Sequence, residues 1–494
     1  MEGNEVEKNK RKIIISPITR LEGHGKISIF LNDEGNVKDA FFQVVELRGF
    51  ERFCQGRPIE ELPRITTRIC GVCPWAHHMA STKACDAVFK AEPPSAAKKL
   101  REMVYCAHIM HSHQLHMYAL AGPDFYVGPK AEPATRNIVG IVGKVGKDLG
   151  LEVLHARGYA QRIQEIVGGK ATHPVCGLPG GMSKALSEEE RDEIEDKAKK
   201  LVDFGKKALD LWDNLVMRNK ELADLITGDT YYHETYYMGM VDENEKVNFY
   251  EGKIKVVDPD GKEYLRFDAK DYLDYIDERV EPWSYLKFPY LKKVGWKGLV
   301  DGKDSGIYRV NSLARLNVSD GMATPAAEEA YKRFYDFFGR KPVHNTLAFN
   351  WARIIENLYA AERCLELIED PEITSKDLRG KLGEPGEGIG CVEAPRGTLY
   401  HHYVADKEGI TQKVNLVVAT VQNNGPMCMS IKKAAEKLIK NWKVEEGLLN
   451  MVEMAFRAYD PCLACATHTL PGQMPLEINI YDPDGNLHEQ LKRD

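Results

Sequence analysis

The chain has 494 residues, a net charge of −7, a charged fraction of 29% and an apolar fraction of 43%. That length can bury a large core, as one domain or two interlocked ones, and the acidic balance argues against a nucleic-acid surface, with no basic run beyond Lys8–Lys12. No apolar run is long enough for a membrane span and the N-terminus lacks the apolar stretch of a secretory signal; eleven cysteines, an odd number in a large chain, point to reduced thiols and metal ligands in a cytoplasmic protein.

In chain order, Ile13–Ile15 is expected as a strand, followed by the loop Ser16–His24. Residues 26–31 and 37–45 alternate as strands around Asn32–Asn36, a hairpin signal. Pro74 helps to open a helix through His78, Ala80 and Ala84. Residues 94–120 have helical periodicity, with Leu100, Val104, His108, His111 and Leu115 near one face, and 135–168 continue as helix. Ser187 and Glu190 make a capping box whose helix is expected to extend toward Leu225. Thr324 is expected to cap a helix that Pro325 opens and that closes near Gly339; another helix fills 345–369. Between them lie β-rich inserts, 246–268 turning at Asp258–Gly261 and 398–421 turning at Asp406–Gly409, and a last helix, 443–458, leads to Asp460. The expected fold class is α+β: a central bundle of long helices carrying the site, with peripheral β-hairpins and small sheets.

Two cysteine pairs carry the chemistry, one near each end of the chain: Arg68-Ile69-Cys70-Gly71-Val72-Cys73 and Asp460-Pro461-Cys462-Leu463-Ala464-Cys465-Ala466-Thr467-His468. If the fold brings them together, four thiolates converge and can hold soft transition metals. A structural zinc staple is the alternative, although zinc modules usually close short loops, with pairs about 15–20 residues apart. Two unrelated buried pairs are a second alternative, against which the flanking residues argue. The other seven cysteines (Cys54, Cys85, Cys106, Cys176, Cys364, Cys391, Cys428) lie singly in apolar or helical surroundings, as core thiols do.

The stretch Arg68 to His77 (Arg-Ile-Cys-Gly-Val-Cys-x-x-x-His) together with Asp460 to His468 resembles the large subunit of nickel–iron hydrogenases. Arg20-x-Glu22-Gly23-His24, Arg48-Gly49-Phe50-Glu51 and Ala394-Pro395-Arg396-Gly397 resemble further motifs of that family. The resemblance runs nearly end to end. It is nearest the cytoplasmic branch, whose large subunits belong to multi-subunit enzymes coupled to NAD(P), ferredoxin or a heterodisulfide reductase. A relative of this fold in quinone-reducing respiratory complexes lost the metal together with the cysteine pairs, so a metal-free or zinc-bound redox-complex subunit is the alternative function.

The resemblance implies that Cys70 and Cys462 bind nickel terminally and that Cys73 and Cys465 bridge nickel to an iron carrying carbon monoxide and cyanide. It makes Cys462 the first proton acceptor and Glu22 the next carrier; for Glu22 a salt bridge to Arg20 or an ordinary surface carboxylate are the alternatives. Arg396 is expected over the open metal position, held by Asp460 and by Asp124; Asp460 also suits an Asx turn before Pro461. Glu51, His468 and the Leu416 carbonyl match ligands of a second metal, magnesium or iron. His77 is expected to hydrogen-bond a bridging sulfur, and the Thr420 hydroxyl to donate to cyanide at a place where Ala419-Thr420 replaces the family's usual Pro-Ser. His108, His111, His113 and His116 are expected to pack and hydrogen-bond inside the bundle, without the acidic partners a metal site needs.

The resemblance further implies that residues 1–468 form one domain and that 469–494 are an extension cut after His468 by a maturation endopeptidase; a permanent C-terminal strand at Leu476–Tyr481, followed by the turn Asp482–Gly485, is the alternative. The expected reaction is reversible cleavage of dihydrogen. With no cysteine array for an iron–sulfur cluster and no Gly-rich dinucleotide fingerprint in this chain, electrons are expected to pass to an iron–sulfur small subunit, then to diaphorase-type or heterodisulfide-reductase-type proteins of the same complex.

Overall fold

The computed structural model describes residues 12–468, 476–483 and 486–493. Strands Lys12–Ile15, Gly25–Leu31 and Val37–Val44 form a three-stranded antiparallel sheet with Ile13 opposite Ile29 and Ile27 opposite Phe42. Alternation along these strands buries Ile13, Ile15, Ile27, Ile29, Phe42 and Val44.

The bundle consists of helices Ser95–Leu115, Lys147–Gly168, Glu188–Trp212 and Ala348–Glu369. Ala348–Glu369 lies at its centre and is buried continuously from Ala348 to Ala361. A helix covered on every side must satisfy its own polar groups internally. Arg315 does this for Glu356, at 2.5 and 2.7 Å, and also reaches Glu393 at 2.8 Å; His113 Nε2 lies 3.0 Å from Glu356. This buried cluster ties the helix pair to helix Ser312–Val318 and to strand Glu387–Ala394.

That strand heads the antiparallel sheet Glu387–Ala394, Gly397–Ala405 and Thr411–Val417. It packs on helix Pro74–Val88. A methyl group on Gly388 or Gly390 would collide with backbone atoms of Ala80, Ala84 and Val88, so glycine is what permits the approach. A four-stranded sheet pairs Tyr236–Val241, Lys253–Val257 and Glu263–Phe267 antiparallel and adds Tyr308–Arg309 parallel to Tyr236–Val241. Long helices packed with separate small sheets are the expected α+β architecture.

Several boundaries differ from the sequence reading. Residues 135–168 break into Ile138–Val145 and Lys147–Gly168 at Gly146, whose φ is 92°. The Ser187 capping box is present, but its helix passes into a π-turn, Asp213–Met217, and a new helix, Lys220–Thr227, is capped by Asn219. Thr324 does not cap Pro325–Phe338: its hydroxyl donates to Glu362 (2.6 Å), and Glu362 instead accepts from the amides of Ala326 and Ala327 at 3.1 and 3.0 Å. A carboxylate from a neighbouring helix outcompetes the local hydroxyl at this positive helix end. Leu476–Tyr481 is a strand, paired with Leu487–Arg493. Asp484 and Gly485 of the expected turn, and Lys8–Arg11 of the basic run, lie outside the described residues.

Candidate metal centre

The first pair follows the 3₁₀ turn Thr66–Ile69. Cys70 Sγ accepts hydrogen bonds from the amides of Val72 (3.1 Å) and Cys73 (3.2 Å), which folds the loop around the sulfur. Cys73 stands at the N-cap of helix Pro74–Val88. The second pair is placed differently: its first cysteine, Cys462, is the N-cap of the short helix Leu463–Ala466, which contains Cys465.

The two pairs meet. Cys70 Sγ is 3.3 Å from Cys462 Sγ, Cys73 Sγ is 3.2 Å from Cys465 Sγ, and Cys462 Sγ is 2.7 Å from Cys465 Sγ. All four sulfurs lie within 4.8 Å of one another and all four residues are buried. Hydrogen bonds from Cys462, Cys465 and Cys73 hold the Cys70 thiol well below its ordinary range, while burial pushes Cys462 and Cys465 up.

Glu22 is held against this cluster by backbone. Its amide donates to Pro461 O (3.4 Å), and Leu463 N donates back to Glu22 O (2.9 Å). Its Oε2 accepts from Cys462 Sγ at 3.0 Å and from Ala464 N at 3.1 Å. Gly23, at φ 92°, follows; a side chain there would strike Leu463 and Ala464. Burial, then the charge of Cys70, raises the Glu22 carboxyl. Neither alternative from the sequence describes its contacts, because Arg20 turns to Asp124.

Arg396 is buried with its Nε 2.5 Å from Asp460 O and its Nη2 3.1 Å from Asp460 Oδ1. Its Nη1 has no hydrogen-bond partner among the described residues. Burial pushes the Asp460 carboxyl up, but Arg396 and His116 overcome it and hold the group well below its usual range. Asp124 does not join this pair. It accepts from Arg20 (2.6 Å), Arg457 (2.7 Å) and Asn450 (3.0 Å), because the Arg20 loop and helix Glu446–Arg457 converge on it. Asp124 is 1% exposed, so Asp124→Asn leaves the half-buried Arg20 without its carboxylate and the buried Arg457 with Glu453 alone, and is expected to lower stability by about 3 kcal/mol. A denaturant midpoint unchanged from wild type would show that these arginines are neutralised by other groups.

His77 is anchored from the side of Nδ1. Its Nδ1 is 3.1 Å from His401 Nε2, and His401 Nδ1 is 2.6 Å from Tyr403 OH, which donates to Ser81 (2.8 Å). This chain of partners fixes the ring through Nδ1. Thr420 Oγ1 accepts from Cys462 N at 3.2 Å, leaving its own proton free to donate. Glu51 Oε1 accepts from Leu416 N at 2.8 Å, and the strand register places Leu416 opposite His401. His468 lies edge-on to Phe50 at 5.7 Å, with both ring nitrogens buried and unpartnered among the described residues. Burial raises Glu51 to about 7. Two orphaned nitrogens and a destabilised carboxylate suit an added cation.

Three further residues have contacts that the sequence reading does not assign. Arg48 donates to Ile69 O, to Arg68 O (3.3 Å) and to Ala464 O (3.4 Å), and its amide donates to Thr467 O (2.9 Å), so one residue stitches the two cysteine loops together. His116 and His113 do have acidic partners, Asp460 at 3.2 Å and Glu356 at 3.0 Å. The sequence signal for Arg48 is its motif; for His116 there is only the density of histidines on one helix.

A buried set of four soft donors, with a carboxylate and a fixed guanidinium beside it, suits a metal–thiolate redox centre. The model for nickel-dependent hydrogenases matches residues 48–135 and 240–468, and a HoxL-like model matches 12–47. An iron-sulfur subunit of the F420-non-reducing hydrogenase from Archaeoglobus profundus is 52% identical over 98% of this chain and 99% of its own length. The beta subunit of the NAD-reducing hydrogenase HoxS from Cupriavidus necator is 38% identical over 98% of this chain and 100% of its own. Among solved structures, an NAD+-reducing [NiFe]-hydrogenase in its H2-reduced state superposes with a TM-score of 0.86 at 36% identity, covering 93% of this chain and 100% of that one. The chain belongs to the nickel-dependent hydrogenase family, as the catalytic large subunit of a nickel–iron hydrogenase. Among the described residues, no helix is long and apolar enough to cross a membrane.

Proposed function

We propose that Cys70, Cys73, Cys462 and Cys465 hold the nickel–iron centre at which this subunit interconverts dihydrogen with protons and electrons. The convergence of four buried sulfurs from opposite ends of the chain within 4.8 Å carries this reading. Cys70 and Cys462 would bind nickel terminally, and Cys73 and Cys465 would bridge it to iron. The unpartnered Nη1 of Arg396 and the free Thr420 proton are donors suited to cyanide on that iron, alongside carbon monoxide. When bound, the centre supplies a Lewis acid and a store for electrons.

The protein's own groups handle the proton. Cys462 Sγ accepts it and Glu22 Oε2, 3.0 Å away, receives it next. Burial brings the carboxyl toward a proton affinity useful for relay. Arg396 stays charged beside Asp460 and fixes positive charge over the sulfurs. Glu51, Leu416 and His468 would hold a magnesium or iron ion, which ties the C-terminal residue of the domain to two other segments.

The extension 469–494 is assigned to removal by a maturation endopeptidase after His468; the family match ends at that residue. The remaining seven cysteines are buried and free, which supports electron exit through an iron–sulfur small subunit. Diaphorase-type or heterodisulfide-reductase-type subunits would then pass electrons to NAD(P), ferredoxin or a heterodisulfide, in the cytoplasm. Elemental analysis of the purified complex tests the centre: nickel and iron are expected together, with infrared bands of bound carbon monoxide and cyanide. Zinc alone, or no metal, would end this reading.

A further inference from the structure

One buried imidazole has no part in the scheme above. His116 is 0% exposed and begins the π-turn His116–Leu120 in which helix Ser95–Leu115 ends. A π-turn inserts an extra residue and re-aims the side chains around it. Its ring lies between two elements: Nε2 lies 3.1 Å from Asn350 Oδ1, and Nδ1 packs 3.2 Å from Asp460 Oδ1, a close polar approach without hydrogen-bond alignment. The Asn350 amide nitrogen donates to Leu347 O at 3.2 Å, which turns its oxygen toward His116. The imidazole is thereby braced from behind by the central helix of the bundle.

Asp460 needs such a brace. Its φ is 53°, in the left-handed region that non-glycine residues seldom occupy. The backbone around it is fixed by Asn311 Nδ2 on Tyr459 O (2.7 Å), Arg353 Nη2 on Ala458 O (3.2 Å) and Arg396 Nε on Asp460 O (2.5 Å). The carboxylate itself has two close cationic or imidazole neighbours, Arg396 and His116. Without His116 the carboxylate keeps only its Arg396 contacts, at 3.1 and 3.0 Å, and the pair loses the ring packed against it.

We propose that His116 is a positioning residue that locks the Asp460 carboxylate and so aims Arg396 over the four sulfurs. The proposal rests on the nickel–iron reading, which metal analysis of the wild-type enzyme tests separately. In the holoenzyme, His116→Phe is expected to keep nickel, iron and the thermal midpoint. It is expected to lose roughly tenfold in kcat with KM for dihydrogen unchanged, the effect of one charge-assisted contact. The crystal structure of the variant should show the Arg396 guanidinium displaced from Asp460. His116→Gln, which retains a donor, should recover most of the rate and the Arg396 position. Asn350→Ala removes only the brace and should give a smaller displacement of the same kind, so a failure of His116→Phe to fold leaves the proposal testable. Wild-type kcat with Arg396 unmoved in His116→Phe, or in Asn350→Ala where His116→Phe does not fold, would overturn it. So would equal defects in His116→Phe and His116→Gln accompanied by metal loss.

Discussion

Replacing Glu22 by glutamine is expected to lower dihydrogen oxidation by roughly two to four orders of magnitude, the range for losing a positioned acid–base group. Nickel and iron should remain. The amide keeps the size of the side chain and can still accept from Ala464 N, which is 3.1 Å from Oε2 in the wild type. It cannot take a proton from Cys462 and pass it on. Glu22→Asp withdraws the carboxylate by one methylene from a contact of 3.0 Å, so an intermediate rate is expected. Dye-linked dihydrogen uptake and hydrogen–deuterium exchange on metal-replete protein measure the effect. Uptake within about twofold of wild type, a difference of under 0.5 kcal/mol in barrier, would move the proton exit to another group.

The larger loss is expected for Cys465→Ser. Cys465 Sγ lies 2.7 Å from Cys462 and 3.2 Å from Cys73, so it is central to the cluster. Serine is close in shape but hard as a donor and almost never ionised, and it does not replace a bridging thiolate. Nickel and iron should both be absent, and activity should fall by roughly three orders of magnitude or more, at least about 4 kcal/mol of barrier. The polypeptide should still fold: in metal-free protein the change of one atom should cost about 1 kcal/mol. Elemental analysis with circular dichroism separates these outcomes. A serine variant that retains both metals and turns over would remove Cys465 from the ligand set.

Much of this centre is legible in the sequence because its chemistry needs rare residues in fixed local spacing. Cys70 and Cys73, or Cys462 and Cys465, are visible as pairs, and Glu22 and Arg396 sit in short motifs. What stays hidden depends on residues distant in sequence. Asp124 is expected beside Arg396, yet Arg20 and Arg457 reach it from 104 and 333 residues away. The partner that holds His77 Nδ1, His401, is 324 residues further on, and nothing local announces it. Helix starts are readable where capping is local, as at Ser187, and misread at Thr324, where Glu362 supplies the acceptor from another helix. Strand Glu387–Ala394 is obscured because Gly386, Gly388 and Gly390 suggest a loop; two of these glycines are there so that the strand can lie against helix Pro74–Val88.

The pairing of Glu22 with Cys462 joins residues 440 positions apart. During synthesis, Cys70 therefore waits until nearly the whole polypeptide has left the ribosome. At about 5–20 residues per second, the 392 positions between Cys70 and Cys462 take roughly 20–80 s to make. A chain terminated before Cys462, whatever else it folds, has only half of the four-sulfur cluster.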